Sequence, residues 1–328
     1  MGTLLKETWY QNIDGVEGAI FKDPQRKDSR YWGKGKWTAF IEPLLPAEKR
    51  TFVEIGCNAG LFLKLAMDEG YKRVIGIESC PSRMKQATQF RQSHNYPYQL
   101  IHQEVGVDFD LDQLPLADVT LLANVHYHLP VGVFSDLVDR LRNHTLYCLL
   151  VSAKVARHKG KARHYLESVR GYFRDWQEIA VIGDWQNLLG LDQEDPAPRR
   201  QMYGVLFKGC LDSVNTLEMW NESARPSRAT GPDSLIIAQG WREFFGQVLT
   251  DKDPNPTETS LYQYWKQHDK SEWIQIRLAE KKALAKDIQH NGMRQPIYLD
   301  HRDRVLDGMH RLSLACELGY EHVLIRRL

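Results

Sequence analysis

The fold of this chain is decided by residues 52–60, Phe-Val-Glu-Ile-Gly-Cys-Asn-Ala-Gly, and by residues 74–78, Val-Ile-Gly-Ile-Glu. The two stretches predict a buried strand, a glycine turn, a helix and a second strand that ends in an acid. Glycine lets the backbone approach a ligand where a Cβ would clash. The acid, Glu78, stands where it can accept hydrogen bonds from both hydroxyls of a ribose. This layout predicts a site for a nucleoside.

The glycine turn differs from the dinucleotide fingerprint Gly-x-Gly-x-x-Gly, whose last glycine packs a helix against a strand. Here a carboxylate, Glu54, stands two residues before Gly56, and Asn58 takes the middle position before Gly60. This order resembles motif I of the class I S-adenosylmethionine-dependent methyltransferases. The resemblance implies S-adenosylmethionine as the cofactor, with the glycine turn facing its methionine part and Glu78 holding its ribose.

Strands and helices alternate from about residue 52 to about residue 210, which predicts an α/β fold with a doubly wound sheet. The fourth strand, at residues 118–124, is nearly all apolar, as expected of a parallel strand that is covered on both faces. Residues 201–207 are expected to form a last, antiparallel strand. Because ligands of such sheets lie at the carboxyl ends of the strands, we predict that Asn124 belongs to the cofactor site.

Composition divides the chain into three parts. Residues 1–210 are expected to form the Rossmann-like methyltransferase domain. Residues 211–235 have the polar, proline- and glycine-containing composition of a linker. Residues 236–328 are expected to form a second, smaller α+β domain.

The segment before the glycine turn alternates aromatic and cationic residues, from Arg30 to Trp37. A similar segment precedes motif I in some tRNA-modifying and small-molecule methyltransferases. One hypothesis is a lid, in which Tyr31 covers the adenosine and Lys36 meets the carboxylate of the cofactor or an anionic substrate. The alternative is an N-terminal helix that only packs on the sheet.

The segment after the fourth strand, residues 124–130, reads Asn-Val-His-Tyr-His-Leu-Pro. It lacks the Asp/Asn-Pro-Pro-Tyr motif of DNA and protein amide methyltransferases, which disfavours amino-group methylation. A histidine suits the removal of a proton from a hydroxyl, carboxyl or phosphate acceptor. We predict His126 as the catalytic base and His128 as the second candidate, on the same side if the segment stays extended. The alternative is that both are histidines of a surface turn.

A group of basic residues follows the fifth strand. It can bind an anionic acceptor such as a phosphate or a sugar acid, and the alternative is solvated loop charge. Its members are Lys154, Arg157, His158, Lys159, Lys161, Arg163 and His164.

A second motif lies near the end of the chain, where a helix ends at Gly292, a strand follows, and a second strand runs into Asp-Gly-Met-His-Arg at residues 307–311. This order resembles the ParB/sulfiredoxin superfamily over about residues 275–328, and the resemblance implies a nucleotide or phosphate site. Amides of a helix N-terminus, with a histidine and an arginine, form an anion cradle. The predicted binding residues are Gln295, Asp307, Gly308, His310 and Arg311. Asp307 is also the predicted magnesium ligand, and the alternative is a helix-capping pair without a ligand.

Composition limits the function classes. The chain of 328 residues carries 43 basic and 42 acidic residues, so long-range attraction to nucleic acid or to an anionic membrane is not implied. A nucleic-acid substrate is disfavoured but not excluded, because it would need a local basic patch. No apolar run predicts membrane insertion. The five cysteines are scattered and have no metal-ligand spacing, which indicates reduced thiols and a cytoplasmic protein.

Three functions remain in competition. The leading hypothesis is an S-adenosylmethionine-dependent methyltransferase that acts on an oxygen of a small-molecule, phosphate or glycan-like acceptor. The first alternative is bifunctional: the C-terminal domain phosphorylates the acceptor with ATP or CTP and Mg²⁺, and the N-terminal domain methylates it. The second is a methyltransferase-like protein whose C-terminal domain senses a nucleotide or binds a partner. The sequence leaves the acceptor, the nucleotide and the oligomeric state open.

Overall fold

A computed structural model describes the chain as two compact units, one of residues 1–111 and 117–209 and one of residues 112–116 and 210–328. Within these units the structure describes residues 33–106, 108–153, 171–183, 202–216, 234–250, 271–300 and 305–328, together with the short pieces 8–9, 20–21, 156–158, 161–164, 219–220 and 262–263 and the single residues 169, 259 and 303.

The first unit is built from alternating strands and helices. Its strands are β1 (Thr8–Trp9), β2 (Ile20–Phe21), β3 (Thr51–Ile55), β4 (Arg73–Glu78), β5 (Gln99–His102), β6 (Ala117–Ala123), β7 (Thr145–Ala153), β8 (Ala156–His158), β9 (Lys161–His164), β10 (Gln177–Gly183) and β11 (Met202–Lys208). Its helices are α1 (Gly33–Lys36), α2 (Leu61–Asp68), α3 (Pro81–His94) and α4 (Val131–Leu141). A π-helical turn (Trp37–Ile41) and a 3₁₀ turn (Glu42–Leu44) continue α1 without a break.

Seven strands form the central sheet, in the order β10-β11-β7-β6-β3-β4-β5. The five strands β5, β4, β3, β6 and β7 run parallel, and β11 pairs antiparallel with both β7 and β10. Strands β3 and β6 lie in the middle of the sheet and are almost wholly buried, which explains their continuous apolar sequence. The doubly wound α/β sheet and its antiparallel strand near residue 201 are therefore confirmed.

The core on one face of this sheet is covered by the segment that precedes β3. Trp37, Phe40, Ile41 and Leu44 are all buried in it, beside Phe52 of β3. The Trp37 ring lies 6.2 Å from the Phe52 ring and 5.9 Å from the Phe62 ring of α2, measured between centroids. Residues 37–44 therefore pack on the sheet.

The opposite edge of the sheet, where the parallel strands begin, holds a buried ion pair. Asp118 is 2% exposed and accepts hydrogen bonds from the backbone amides of Arg50 and Thr51, at 2.8 and 2.9 Å. The Arg50 guanidinium also donates to this carboxylate, through Nε at 2.9 Å and through Nη2. This network joins the starts of β3 and β6, far from the carboxyl edge.

The second unit contains a four-stranded sheet in the order β12-β15-β13-β14. Its strands are β12 (Asp212–Asn215), β13 (Ile297–Leu299), β14 (Val305–Asp307) and β15 (His322–Arg327), and its helices are α5 (Ser234–Leu249), α6 (Ser271–Asn291) and α7 (Met309–Glu317). A core that includes Trp241, Phe244 and Phe245 of α5 joins the helices to this sheet.

Part of the predicted linker is wrong, because residues 212–215 form β12, antiparallel to β15. The segment is polar, and its pairing partner lies more than a hundred residues further along the chain, so local composition does not reveal the strand. None of the helices formed by described residues combines the length and the apolar character needed to cross a membrane.

Candidate functional site

Three neighbouring parallel strands end together at the carboxyl edge of the sheet. Strand β3 pairs with β4 on one side and with β6 on the other. The turn that begins at Gly56 follows β3, Glu78 ends β4, and Asn124 follows β6. Because parallel neighbours share one edge, the glycine turn, Glu78 and Asn124 are brought to the same edge of the sheet.

The glycine turn is held in a left-handed backbone conformation at three positions. Gly56, Asn58 and Gly60 have φ angles of 76°, 53° and 86°. The backbone amides of Gly56 and Cys57 donate to the Ile77 carbonyl of β4, at 2.8 and 3.0 Å. Asparagine tolerates this conformation better than most side chains. Its Oδ1 also accepts the Ala59 amide at 2.9 Å, so Asn58 fills the place of the usual middle glycine.

The requirement for glycine in this turn comes from the protein itself. A Cβ on Gly56 would lie 2.9 Å from Val125 Cγ2, and a Cβ on Gly60 would lie 3.0 Å from the Tyr98 hydroxyl. The sequence predicts that these glycines make room for a ligand. In the structure, their positive φ angles and these side chains already exclude a Cβ.

Glu78 is buried and is oriented by the backbone. Its Oε2 accepts the Asn58 amide at 2.8 Å, and its Oε1 accepts the Cys80 amide at 2.9 Å. A carboxylate has about four acceptor positions, so each oxygen keeps capacity for a further donor. Glu78 is thus a fixed acceptor at the carboxyl edge, with the chemistry that two ribose hydroxyls require.

Glu54 and Lys36 form the charged part of the site. Glu54 is 1% exposed, and no described residue donates to its Oε2. Burial raises the pKa of Glu54 well above its usual range, Glu78 raises it further, and the Lys36 ammonium opposes the shift. Burial lowers the pKa of Lys36 to about 8, against the attraction of Glu54. A buried acceptor without a donor, beside a cation, complements the ammonium and carboxylate of an amino acid, which is how the methionine part of S-adenosylmethionine ends.

The described part of the predicted lid is anchored through its apolar side chains. Lys36 stands directly before the buried Trp37 and is itself half-buried. Tyr31, the predicted cover for the adenosine, lies outside the described residues.

The two candidate histidines do not lie on an extended segment. Residues His126–His128 form a 3₁₀ turn, so the same-side geometry assumed for an extended strand is wrong. His126 is 1% exposed, and its ring lies 5.8 Å from the Phe134 ring of α4. His128 is exposed. The turn forms because Pro130 stands directly before α4 and the chain has to reverse between β6 and that helix.

In the second unit, the predicted phosphate-binding residues make contacts with one another. Arg311 Nη1 donates to Gln295 Oε1 at 3.0 Å, while Nη2 donates to the Pro296 carbonyl at 3.1 Å and to Asp307 Oδ2 at 2.9 Å. The pKa of Asp307 is lowered, chiefly by its hydrogen bond from Arg311. The His310 ring meets the Trp241 ring edge to face at 4.6 Å between centroids.

Gly308 is the N-cap residue of α7 and has a φ of 104°. A Cβ there would lie 3.1 Å from Arg311 Nη2 and 3.1 Å from Ile297 Cα, so its conformation and the adjacent strand both favour glycine. Asp307 Oδ1 accepts the Gly308 amide at 2.7 Å. Among the described residues, no group of three or more His, Cys, Asp or Glu side chains could hold a metal ion.

Two glycines inside strands were missed by the sequence reasoning. A Cβ on Gly76 would lie 2.4 Å from Leu63 Cδ1 of α2 and 2.7 Å from Cys57 Sγ. A Cβ on Gly204 would lie 2.6 Å from the Phe40 carbonyl oxygen. An isolated glycine in a strand often marks a close approach of another backbone, and that signal was present in both strands.

Four features together define a class of fold. They are the strand order, the antiparallel position of β11, the glycine turn after β3 and the acid at the end of β4. The class is the Rossmann-like fold of the class I S-adenosylmethionine-dependent methyltransferases, as the resemblance in motif I implied.

The chain resembles curated proteins over part of its length. The tRNA U34 carboxymethyltransferase of Shewanella halifaxensis (strain HAW-EB4) is 28% identical over 136 residues, which are 38% of this chain and 41% of that protein. The tRNA U34 carboxymethyltransferase of Shewanella sp. (strain ANA-3) is 28% identical over 119 residues, or 35% of each. The chain therefore spans less than half the length of these relatives. No protein-family profile matches it.

Solved structures show the same kind of likeness. The N-methyltransferase NodS from Bradyrhizobium japonicum WM9, in complex with S-adenosyl-l-homocysteine, is 17% identical and has a TM-score of 0.45, over 57% of this chain and 92% of that chain. A SAM dependent methyltransferase from Aquifex aeolicus is 16% identical with a TM-score of 0.39, over 56% of this chain and 93% of that chain. The fold class is therefore drawn from the sheet and its turn.

Proposed function

We propose that the protein is an S-adenosylmethionine-dependent methyltransferase. The observation that carries the proposal is the trio of Lys36, Glu54 and Glu78 at the glycine turn. Glu78, held by two backbone amides, would accept the ribose hydroxyls. Glu54 has a buried oxygen that no described residue satisfies and would accept the ammonium of the methionine part, while Lys36 would meet its carboxylate.

When bound, the cofactor supplies a methyl group on a positively charged sulfur. The protein has to hold this group in line with the acceptor and to exclude water, since methyl transfer is a displacement that depends mainly on positioning. The left-handed turn from Gly56 to Gly60 and the buried carboxylates are rigid supports of this kind. Asn124 would line the same edge. Its φ is 60°, and its backbone amide donates to the Val151 carbonyl.

The proposal is tested by the affinity for S-adenosylmethionine. Glu78→Ala removes an acceptor of two hydroxyl hydrogen bonds, so we expect a loss of about 2–4 kcal/mol, or roughly 30- to 1000-fold in Kd. Glu104→Ala, at an exposed glutamate after β5, is the matched control and should bind as the wild type does. Titration calorimetry that finds no binding by the wild type, or equal binding by Glu78→Ala, would refute the proposal.

For the acceptor, we propose an oxygen of a small molecule, a phosphate or a glycan-like compound. His128 is the better base on the observed geometry, because it is exposed, whereas His126 is buried against Phe134. His128→Ala should lower turnover by ~100-fold at unchanged cofactor affinity. His126→Ala should instead lower stability, because it leaves a cavity beside Phe134. The reverse pattern would return the catalytic role to His126.

A nucleic-acid acceptor is the second candidate. It is favoured by the name of the curated relatives, tRNA U34 carboxymethyltransferase. That name specifies a carboxymethyl group, so sulfonium donors with a methyl and with a carboxymethyl group should both be offered. Transfer of isotope from either donor into unmodified tRNA, and not into small-molecule acceptors, would support this candidate over the first.

For the second unit we propose a phosphate or nucleotide site at the start of α7, formed by Gln295, Gly308, His310 and Arg311. Its support is the guanidinium of Arg311, whose buried Nε has no acceptor among the described residues. Asp307 would have to release Arg311 in order to hold Mg²⁺. Fluorescent ATP and CTP, each with Mg²⁺, should bind the wild type and not the variant His310→Ala/Arg311→Ala. If neither nucleotide binds the wild type, the bifunctional alternative fails.

A further inference from the structure

We infer that Gly204, in the antiparallel strand β11, is a positioning residue that holds Lys36 beside Glu54. This inference rests on the proposed function, because it concerns the support of the proposed cofactor site. Gly204 does not touch the site. It would act through the backbone of the segment that carries Lys36.

The close contact lies between β11 and the π-helical turn. A Cβ added to Gly204 would lie 2.6 Å from the Phe40 carbonyl oxygen and 2.9 Å from Leu44 Cδ1, and real Cβ atoms essentially never come within 3.0 Å of a heavy atom. Gly204 is in an ordinary strand, paired with Val151 of β7, so its backbone conformation does not itself demand glycine. The absence of a side chain therefore serves the approach of the turn.

The segment that rests on Gly204 is continuous with Lys36. Helix α1 ends at Lys36, and the π-helical turn begins at the next residue and includes Phe40. The buried rings of Trp37 and Phe40 fix the turn against the sheet. A π-helical turn is rare and often occurs at functional sites. A shift of the backbone at Phe40 is therefore transmitted to Lys36 about one turn away.

A backbone shift at Phe40 would change the position of Lys36 relative to Glu54. Side chains alternate between faces along a strand, so Glu54 faces the same side of β3 as Phe52, whose ring meets Trp37 of the segment. Glu54 and Lys36 influence each other electrostatically across this face. Lifting residues 37–44 off β11 would move the Lys36 ammonium away from the Glu54 carboxyl. The two groups would then no longer match the carboxylate and the ammonium of the methionine part of the cofactor.

The experiment compares Gly204→Ala with Gly132→Ala, which adds a methyl group to an exposed helix position with nothing within 4 Å. We expect Gly204→Ala to raise the Kd for S-adenosylmethionine by roughly tenfold to a hundredfold, since small misplacements cost factors of this size. Gly132→Ala should leave it unchanged. In a Lys36→Met background, Gly204→Ala should have little further effect, because the two changes act on the same contact.

A readout without ligand separates this inference from the proposed function. Lifting the segment relieves the burial that lowers the pKa of Lys36 and weakens the opposing attraction of Glu54. Because burial is the larger of these two causes, NMR titration of the empty protein should show the pKa of Lys36 rising toward that of an ordinary lysine in Gly204→Ala. If the wild type does not bind S-adenosylmethionine, the proposed function fails, and this titration alone decides whether Gly204 positions Lys36. If binding and the Lys36 titration are both unchanged in Gly204→Ala, or if its effect is fully additive with that of Lys36→Met, the inference is overturned.

A second variant guards against a failure to fold. Leu44→Ala removes one of the two contacts of the added methyl group but keeps the contact with the Phe40 carbonyl. The double variant Gly204→Ala/Leu44→Ala relieves part of the crowding and should still bind more weakly than Leu44→Ala alone, with circular dichroism used to confirm that both variants are folded. Equal binding by these two variants would contradict the inference.

Discussion

Lys36 is a half-buried lysine that is attracted by the buried Glu54, and burial lowers its pKa to about 8 against this attraction. It is charged below pH 8 and becomes neutral above it, so attraction to a carboxylate of the cofactor weakens as the pH rises through 8. We expect the contribution of Lys36 to the affinity for S-adenosylmethionine, taken as the difference between the wild type and Lys36→Met, to be constant from pH 6 to 7 and then to fall, with a total loss of about 1.5–3 kcal/mol for the charged hydrogen bond.

Calorimetry across this pH range checks the prediction, with Lys36→Met as the control. The amino group of the cofactor also titrates in this range, and the control retains that contribution while lacking the one from Lys36. A wild type that keeps its affinity up to pH 9.5 would show that Lys36 does not meet an anion.

Asn58 sits in the left-handed region with a φ of 53°, where asparagine and glycine are tolerated and alanine is strained. Asn58→Ala should destabilise the turn by roughly 1–2 kcal/mol, because it adds strain and loses the bond to the Ala59 amide. Asn58→Gly loses the same bond but relieves the strain, so its effect should be smaller. Hydrogen exchange over residues 56–60 measures both variants, and equal effects would mean that the backbone conformation is not the cause.

At the scale of elements, the starts of β3 and β6 are joined by the buried ion pair of Arg50 and Asp118. Asp118→Ala leaves the backbone amides of Arg50 and Thr51 and the partly buried Arg50 guanidinium without their acceptor, so it should destabilise the sheet by about 2–4 kcal/mol. The matched control is Asp136→Ala, which breaks an exposed pair with Arg140 on one face of α4 and should cost less than about 1 kcal/mol.

Hydrogen exchange over residues 51–55 and 117–123 reports the local stability of these two strands. Protection in Asp118→Ala that equals protection in Asp136→Ala would show that the backbone pairing of β3 and β6, and not the ion pair, holds this edge together.

At the scale of the whole molecule, the chain divides into two compact units, each with its own sheet and core. Arg311, in α7, donates hydrogen bonds to Gln295 and to the Pro296 carbonyl, which directly precede β13, and to Asp307 at the end of β14. Arg311→Met should lower the stability of the second unit by about 1–3 kcal/mol, since Arg311 is mostly buried while Asp307 is exposed. The affinity of the first unit for S-adenosylmethionine should not change.

Hydrogen exchange over residues 297–317, with calorimetry for the cofactor, measures both effects on the full chain. Arg294→Met, which breaks a half-exposed pair with Asp287, is the control and should cost less than about 1 kcal/mol. A weaker cofactor affinity in Arg311→Met alone would reveal energetic coupling between the units.

Features that depend on near neighbours along the chain could be predicted from the amino-acid sequence. The alternation of strands and helices, the glycine turn, the acid after β4 and the helix at Val131–Leu141 followed from periodicity and turn residues, because these signals are encoded within a few positions. The order of the seven strands agrees with the α/β fold that this alternation implies. Gly56, Asn58, Gly60 and Glu78 lie at one edge of the sheet, because parallel strands bring their carboxyl ends together.

Contacts between segments that are distant along the chain could not be predicted and are seen in the folded structure. Asp118 receives the Arg50 amide from 68 positions away, and the Phe40 carbonyl rests on Gly204. The burial of His126 against Phe134 and the pairing of β12 with β15 were likewise invisible in local sequence. The physical reason is the same in each case. Local propensity is fixed by residues a few positions apart, whereas burial, charge pairing and close backbone approach depend on segments that the completed fold brings together.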